Sequence, residues 1–194
     1  MPRPTVAPPA ARRLLLLGAA ACLFLLAGCS TVKRAAVGSL ADALSSGGNS
    51  YATDEDPELI RQAIPFSLKL MESTLEQTPE HRGLLLACCS GFTQYGYAFV
   101  VQEADETEAR DFGSAEQQRV RARKLFLRAR RYGLRGLELS APGIGAQLAR
   151  DPVAAVGRLK REDVPLLYWT AAAWGALAPT GMVHERVSFS PTVK

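Results

Sequence analysis

Residues 56–77 read DPELIRQAIPFSLKLMESTLEQ, and the phase of their apolar side chains decides the fold class. Ile60, Ile64, Leu68, Met71 and Leu75 recur at steps of four, four, three and four, the spacing of one face of an amphipathic helix. Asp56-Pro57-Glu58 marks where that helix begins. An acid precedes it, a proline stands where no N–H is missed, and a second acid lies in the first turn. Pro65 lies inside the pattern and predicts a kink.

Toward the C-terminus the same grammar repeats. Thr78-Pro79-Glu80 predicts a second start, and the helix that follows carries Leu85, Cys88, Phe92, Tyr95 and Phe99 on one face, running to about Ala109. Its far end is acidic, with Glu103, Asp105, Glu106, Glu108 and Asp111. Gly113-Ser114 reads as a break. A third helix, from about Ala115 to Leu139, is rich in arginine on one side and shows Ala122, Phe126, Ala129, Gly133 and Gly136 on the other. Small residues there permit close approach of another helix. The like charges Arg119/Arg123 and Arg131/Arg135 repel at this spacing, so the preceding acidic segment is the expected partner.

Pro142-Gly143 and Gly145 read as a turn region, and Asp151-Pro152 starts a short helix to about Leu159. Asp163-Val164-Pro165 starts another through Tyr168, Trp169, Trp174 and Leu177. No run alternates β-branched residues as a strand would. The chain reads as all-α, built from antiparallel helix pairs. Ala122, Phe126 and Ala129 have the A-x3-F-x2-A spacing of the second helix of a tetratricopeptide unit, in degenerate form.

The N-terminus carries a different message. Arg3, Arg12 and Arg13 precede an uncharged apolar run from Leu14 to Ala27. As a helix this run reaches about 21 Å, short of the roughly 30 Å hydrocarbon core. It reads as an export signal ending in Leu26-Ala27-Gly28-Cys29, which looks like a bacterial lipobox. The small residues suit a peptidase site, and the Cys29 thiol is the nucleophile that takes a diacylglyceryl group. Ser30, rather than aspartate, favours the outer over the inner membrane. The expected organisation is a signal peptide over 1–28, a lipidated tether over 29–53, a helical domain over 54–178 and an irregular tail over 179–194. Of 23 basic residues three lie in the signal, which holds no acid, leaving 20 against 19 acidic ones. That near-balance gives no whole-chain argument for nucleic acid.

Four cysteines are present, of which Cys22 leaves with the signal and Cys29 is acylated. Adjacent Cys88 and Cys89 are expected to pack as small apolar residues. The two histidines, His81 and His184, lie in no metal-ligand spacing, and His81 is expected to be solvated in a first helical turn. The acidic residues Glu103 to Asp111 spread over several directions of a helix rather than forming an oxygen cage. No nucleophile elbow, phosphate loop or dinucleotide fingerprint appears, so no catalytic residue, metal or cofactor is assigned. The aromatic set Phe92, Tyr95, Tyr97, Phe99, Tyr168, Trp169 and Trp174 is the candidate lining of a ligand or partner groove, with core packing as the plainer alternative.

Three segments carry a family resemblance: CSGFTQYGYAF with QEAD over 89–105, RARRYGLRGLEL over 128–139, and EDVPLLYWTAAAW over 162–174. In this order, behind a lipobox, they resemble the T-component family of tripartite ATP-independent periplasmic (TRAP) transporters. The resemblance implies a lipid-anchored, tetratricopeptide-like α-solenoid facing the periplasm. It implies association with the transporter's solute-binding protein, a homotrimer with ligand-accessible pores, apolar ligands, and no catalytic residues. Family members continue with further helices where Pro179-Thr180-Gly181 ends the pattern here, which predicts a truncated or frameshifted, less soluble product. The other reading left open is an envelope lipoprotein of helical-repeat type that assembles with other envelope components or binds apolar molecules, unconnected to transport.

Overall fold

The computed structural model describes residues 33, 35–46, 51 and 53–178. The expected signal peptide, the lipidation site Cys29, His184 and the tail over 179–194 lie outside the described residues. The chain divides into two compact units, 1–40 and 41–194. In the first, residues 33 and 35–40 are helical. In the second, 41–46 are helical and lead into α1 (Pro57–Gln77), α2 (Arg82–Tyr95), a π-helical segment (Gly96–Val101), α3 (Gln102–Glu108) and α4 (Phe112–Ser140). Then come α5 (Ile144–Arg150), α6 (Pro152–Val156), a 3-10 turn (Arg161–Asp163) and α7 (Val164–Gly175). No strand occurs among the described residues.

Helix α1 forms as its sequence dictates. The Asp56 carboxylate accepts from the N–H groups of Glu58 and Leu59, both at 3.0 Å. Ile60, Leu68 and Leu75 are buried, with Ile64 and Met71 packed beside them. The helix runs through Pro65 without interruption. Its end shows why the second start is misplaced. The Thr78 N–H closes on Thr74 O at 3.0 Å, so Thr78 ends α1 rather than beginning α2. The cap of α2 is His81, whose Nδ1 accepts from the Leu84 N–H at 3.1 Å. Its Nε2 lies 3.1 Å from Asp42 Oδ1, so both ring nitrogens are engaged. His81 is therefore a structural cap, not a solvated side chain.

The second face also shifts. Leu85, Cys88, Phe92 and Tyr95 are buried, but the next core residue is Val100, not Phe99. A π turn takes one extra residue, so the register of the face slips by one position. Gly96 opens this segment where a Cβ would stand 2.8 Å from the Phe126 ring. The stretch Arg82–Glu108 is long and apolar enough to cross a membrane, yet half of it is buried inside the fold, as in a core helix.

Helix α4 begins earlier than Gly113-Ser114 suggests, because Asp111 caps it. Its carboxylate accepts from the Ser114 N–H at 3.0 Å and the Ser114 hydroxyl at 2.6 Å. These bonds hold the Asp111 carboxyl below its ordinary range. The small face expected on this helix is where α2 and α7 come closest. A Cβ on Gly133 would fall against Thr170 Oγ1, with Cys89 Sγ at 2.8 Å, and one on Gly136 would stand 2.8 Å from Leu166 Cδ2. Arg119 bridges to Asp105 at 3.0 Å and Glu108 at 2.7 Å, the expected pairing with the acidic end of the preceding helix. Those exposed pairs contribute only about 0.2–1 kcal/mol each.

Further departures follow α4. The turn region after α4 contains α5, because Glu138 takes the N–H groups of Gly143 (2.6 Å) and Gly145 (2.9 Å) and Gly143 turns with φ 79°. Asp151 caps α6 through the Ala154 N–H at 3.0 Å, but that helix ends at Val156. Asp163 does not cap α7. It is buried, accepts from Lys160 N at 2.8 Å, and meets Arg82 Nη2 at 2.6 Å across 81 residues of chain. The expected tether is not irregular throughout either: Ala41 is fully buried and Leu44 packs on the main core, in a run of good helix formers ahead of the glycines.

Two predictions follow from this packing. Gly133→Ala gains about 1 kcal/mol of helix propensity but overpacks a buried contact, which costs typically 1–3 kcal/mol; urea denaturation should show net destabilisation. For acid, burial alone would raise Asp163 and Glu72, but hydrogen bonds and nearby cations outweigh it and hold both below the ordinary carboxylate range. Their contribution is complete above an unfolded-state pKa of about 4 and disappears as pH falls through the depressed folded values. The urea midpoint should drop steeply below that pH, and Asp163→Asn should show a shallower drop.

Candidate functional site

A groove of about 510 Å³ lies between α1 and α2, with Leu44, Tyr51, Phe99 and Trp169 also in its lining. One wall is the apolar face of α1: Ile60, Ile64, Leu68 and Met71. The other is α2, with Leu86, Ala87, Ser90, Gly91 and Gln94. The walls converge where Leu68 reaches Gly91, whose added Cβ would stand 2.7 Å from Leu68 Cδ2. Among the described residues no charged side chain lines the groove. Its hydroxyls are already engaged: Tyr51 bonds Ser67, Ser67 also donates to Ala63 O at 3.2 Å, and Ser90 donates to Ala87 O at 3.2 Å. The surface therefore suits the apolar body of a ligand, which gains about 25 cal/mol for each Å² removed from water.

The structure distributes the aromatic set rather than assembling it. Phe99 and Trp169 line the groove. Phe92 and Tyr95 are buried in the core, Phe92 stacked on Tyr132 with centroids 6.1 Å apart. Tyr97 and Tyr168 are exposed, with Tyr168 edge-on to Trp169 at 5.1 Å. Trp174 lies under the Arg130 guanidinium at 4.9 Å, away from the groove. The Arg61 guanidinium sits 5.1 Å over the Phe99 ring and is held by Glu58 at 3.2 Å and Glu103 at 3.3 Å, so this ring has a fixed outer face. The α1 residues of the groove were expected in a core face. Their periodicity alone does not tell a filled face from an open one.

Little here can do covalent chemistry. Burial pushes the Cys88 thiol up to about 12 and the Cys89 thiol up to about 11, so neither is a thiolate near neutrality. Both are free and buried, as their apolar surroundings require. Among the described residues no three His, Cys, Asp or Glu side chains gather where a metal ion would fit.

An all-helical body with a neutral apolar groove defines a non-covalent binding or assembly module. The chain belongs to the family of TRAP transporter T-components, whose family model matches residues 53–181. The family is by its description a transporter component rather than an enzyme family. A protein of Treponema pallidum (strain Nichols), described as uncharacterized, is 33% identical over 183 residues, which cover 84% of this chain and 56% of the relative. The chain thus spans about half the length of the curated relative it matches.

The two tryptophans offer a direct test of the groove. In Trp174→Phe only Trp169 reports, and a brominated long-chain alkane should quench its fluorescence saturably. In Trp169→Phe the same quencher should have little effect. Equal quenching of both variants would mean the groove is not where apolar ligands enter.

Proposed function

We propose that this protein is the lipid-anchored helical scaffold of a TRAP transporter. It docks the solute-binding protein in the periplasm, near the membrane, and receives an apolar ligand, or the apolar part of one, in the groove between α1 and α2. The observation that carries this reading is that the family match, over 53–181, takes in helices α1 to α7 and both main walls of the groove. The helix pairs are read as a tetratricopeptide-like stack. Supporting that are the A-x3-F-x2-A face of α4, buried at Ala122, Phe126 and Ala129, and the close packing of α4 on both α2 and α7. The anchor is assigned to Cys29, on the lipobox Leu26-Ala27-Gly28-Cys29 and the basic, apolar leader before it. Ser30 favours the outer membrane, with the helical body facing the periplasm and a trimer as the working assembly.

The role is non-catalytic: groove and family both favour holding and presenting over bond making. Two measurements test it together. Metabolic labelling with radioactive palmitate should mark the wild-type chain and not Cys29→Ala. Tagged protein should co-purify with the solute-binding protein of the same transporter. Labelling without capture would leave an envelope lipoprotein and remove the docking role.

A further inference from the structure

A second recess, of about 340 Å³, lies between the C-terminal half of α1 and the middle of α4, and its chemistry is opposite to that of the groove. Four cations, Lys69, Arg128, Arg131 and Arg135, line it with only two carboxylates, Glu72 and Glu76. Glu72 is fully engaged. It is buried, with Lys69 Nζ at 2.7 Å, the Tyr132 hydroxyl at 2.6 Å and Arg128 Nε at 3.5 Å. Arg131 and Arg135 have no carboxylate within ion-pair distance among the described residues. Both guanidiniums instead flank the Tyr132 ring, at 5.5 and 6.0 Å from its centroid, and Arg135 donates to the Pro79 carbonyl at 2.6 Å. A neutral carbonyl cancels no charge. The two arginines stand one helical turn apart, where like charges destabilise, and Glu76 is the one carboxylate of the recess without an ion pair.

We propose that this cleft binds a small multivalent oxyanion, a phosphate or a polycarboxylate, through Arg131 and Arg135. Guanidinium forks match such groups in a bidentate manner, and charge-assisted bonds of this kind are the strong ones. The recess is of the size that takes a small molecule rather than a protein segment. Glu72, neutralised by its own partners, does not repel the anion. The proposal is independent of the docking role and of the groove.

Isothermal titration of the full-length chain in neutral detergent at low ionic strength tests it. The probes are inorganic phosphate, citrate and a soluble short-chain phosphatidic acid. Phosphate or citrate should bind saturably, one per chain, and raise the melting temperature. Arg131→Gln/Arg135→Gln should bind at least ten-fold more weakly while melting no lower than wild type in the absence of anion. Arg123→Gln, on an exposed arginine of the same helix outside the cleft, should bind as wild type does. The proposal is overturned by absence of saturable heat, by equal weakening in Arg123→Gln, or by binding of the lipid probe alone, which would make the site a headgroup contact.

Discussion

The fold depends on how closely α4 lets two other helices approach it. Gly133 and Gly136 occupy the positions where Thr170, Cys89 and Leu166 press against the backbone of α4. Without side chains there, α2 and α7 both reach the same helix, and the core from Leu84 to Ala173 closes around it. Buried residues in such a core are packed at crystal-like density, so any added atom at these glycines must displace something that has nowhere to go. Thr170 illustrates the constraint. Its hydroxyl is buried and donates to Leu166 O at 2.6 Å, so it cannot swing aside without losing that bond.

Around this seam the polar interactions act as long-range ties. Arg82 at the start of α2 holds Asp163 before α7 and also meets Ser140 at the end of α4. Tyr132 of α4 donates to Glu72 of α1 at 2.6 Å, and burial, together with that contact, raises the Tyr132 phenol to about 12. Each tie joins segments at least 58 residues apart, and the two carboxylates among them, Asp163 and Glu72, are wholly or largely desolvated. Breaking one partner of such a pair strands a charge, which costs far more than an exposed pair contributes. The exposed Arg119 bridges and the buried Asp163 and Glu72 contacts are therefore not equivalent, although all are ion pairs on the same body.

Helix existence was legible in the sequence because apolar phase and capping acids both report on local structure. Asp56-Pro57 and Asp151-Pro152 start helices where they should. What could not be read is information that depends on a distant partner. Asp163 has the look of a cap, yet its carboxylate is turned to Arg82, 81 residues away. His81 lacks the look of a cap, yet serves as one because Asp42 completes its ring hydrogen bonding. Phe99 keeps the heptad-like phase of Phe92 and Tyr95 on paper, and the π segment takes it out of that phase. Half of the groove was hidden for the same reason. Ile60, Ile64, Leu68 and Met71 carry a core signature, and only the course of α2 shows that part of that face stays open.

Helix α1 is what allows two chemically opposed recesses to coexist on so small a body. Its residues Leu68 and Met71 face the neutral groove, while Lys69, Glu72 and Glu76 face the basic cleft. A helix advances about 100° per residue, so neighbouring positions can point into different environments while the backbone between them satisfies its own hydrogen bonds. The separation is electrostatic as well as steric. Glu72, the charged residue of α1 most deeply set, is neutralised on the cleft side by Lys69, Arg128 and Tyr132, so it presents no unpaired charge to the apolar wall. The linings differ accordingly. Among the described residues the groove is lined by no charged side chain, and the apolar lining of the cleft is Leu75, Pro79 and the Tyr132 ring. The two recesses therefore differ first in the charge of their linings, and under the proposed roles an apolar ligand and an anion would sort between them on that difference.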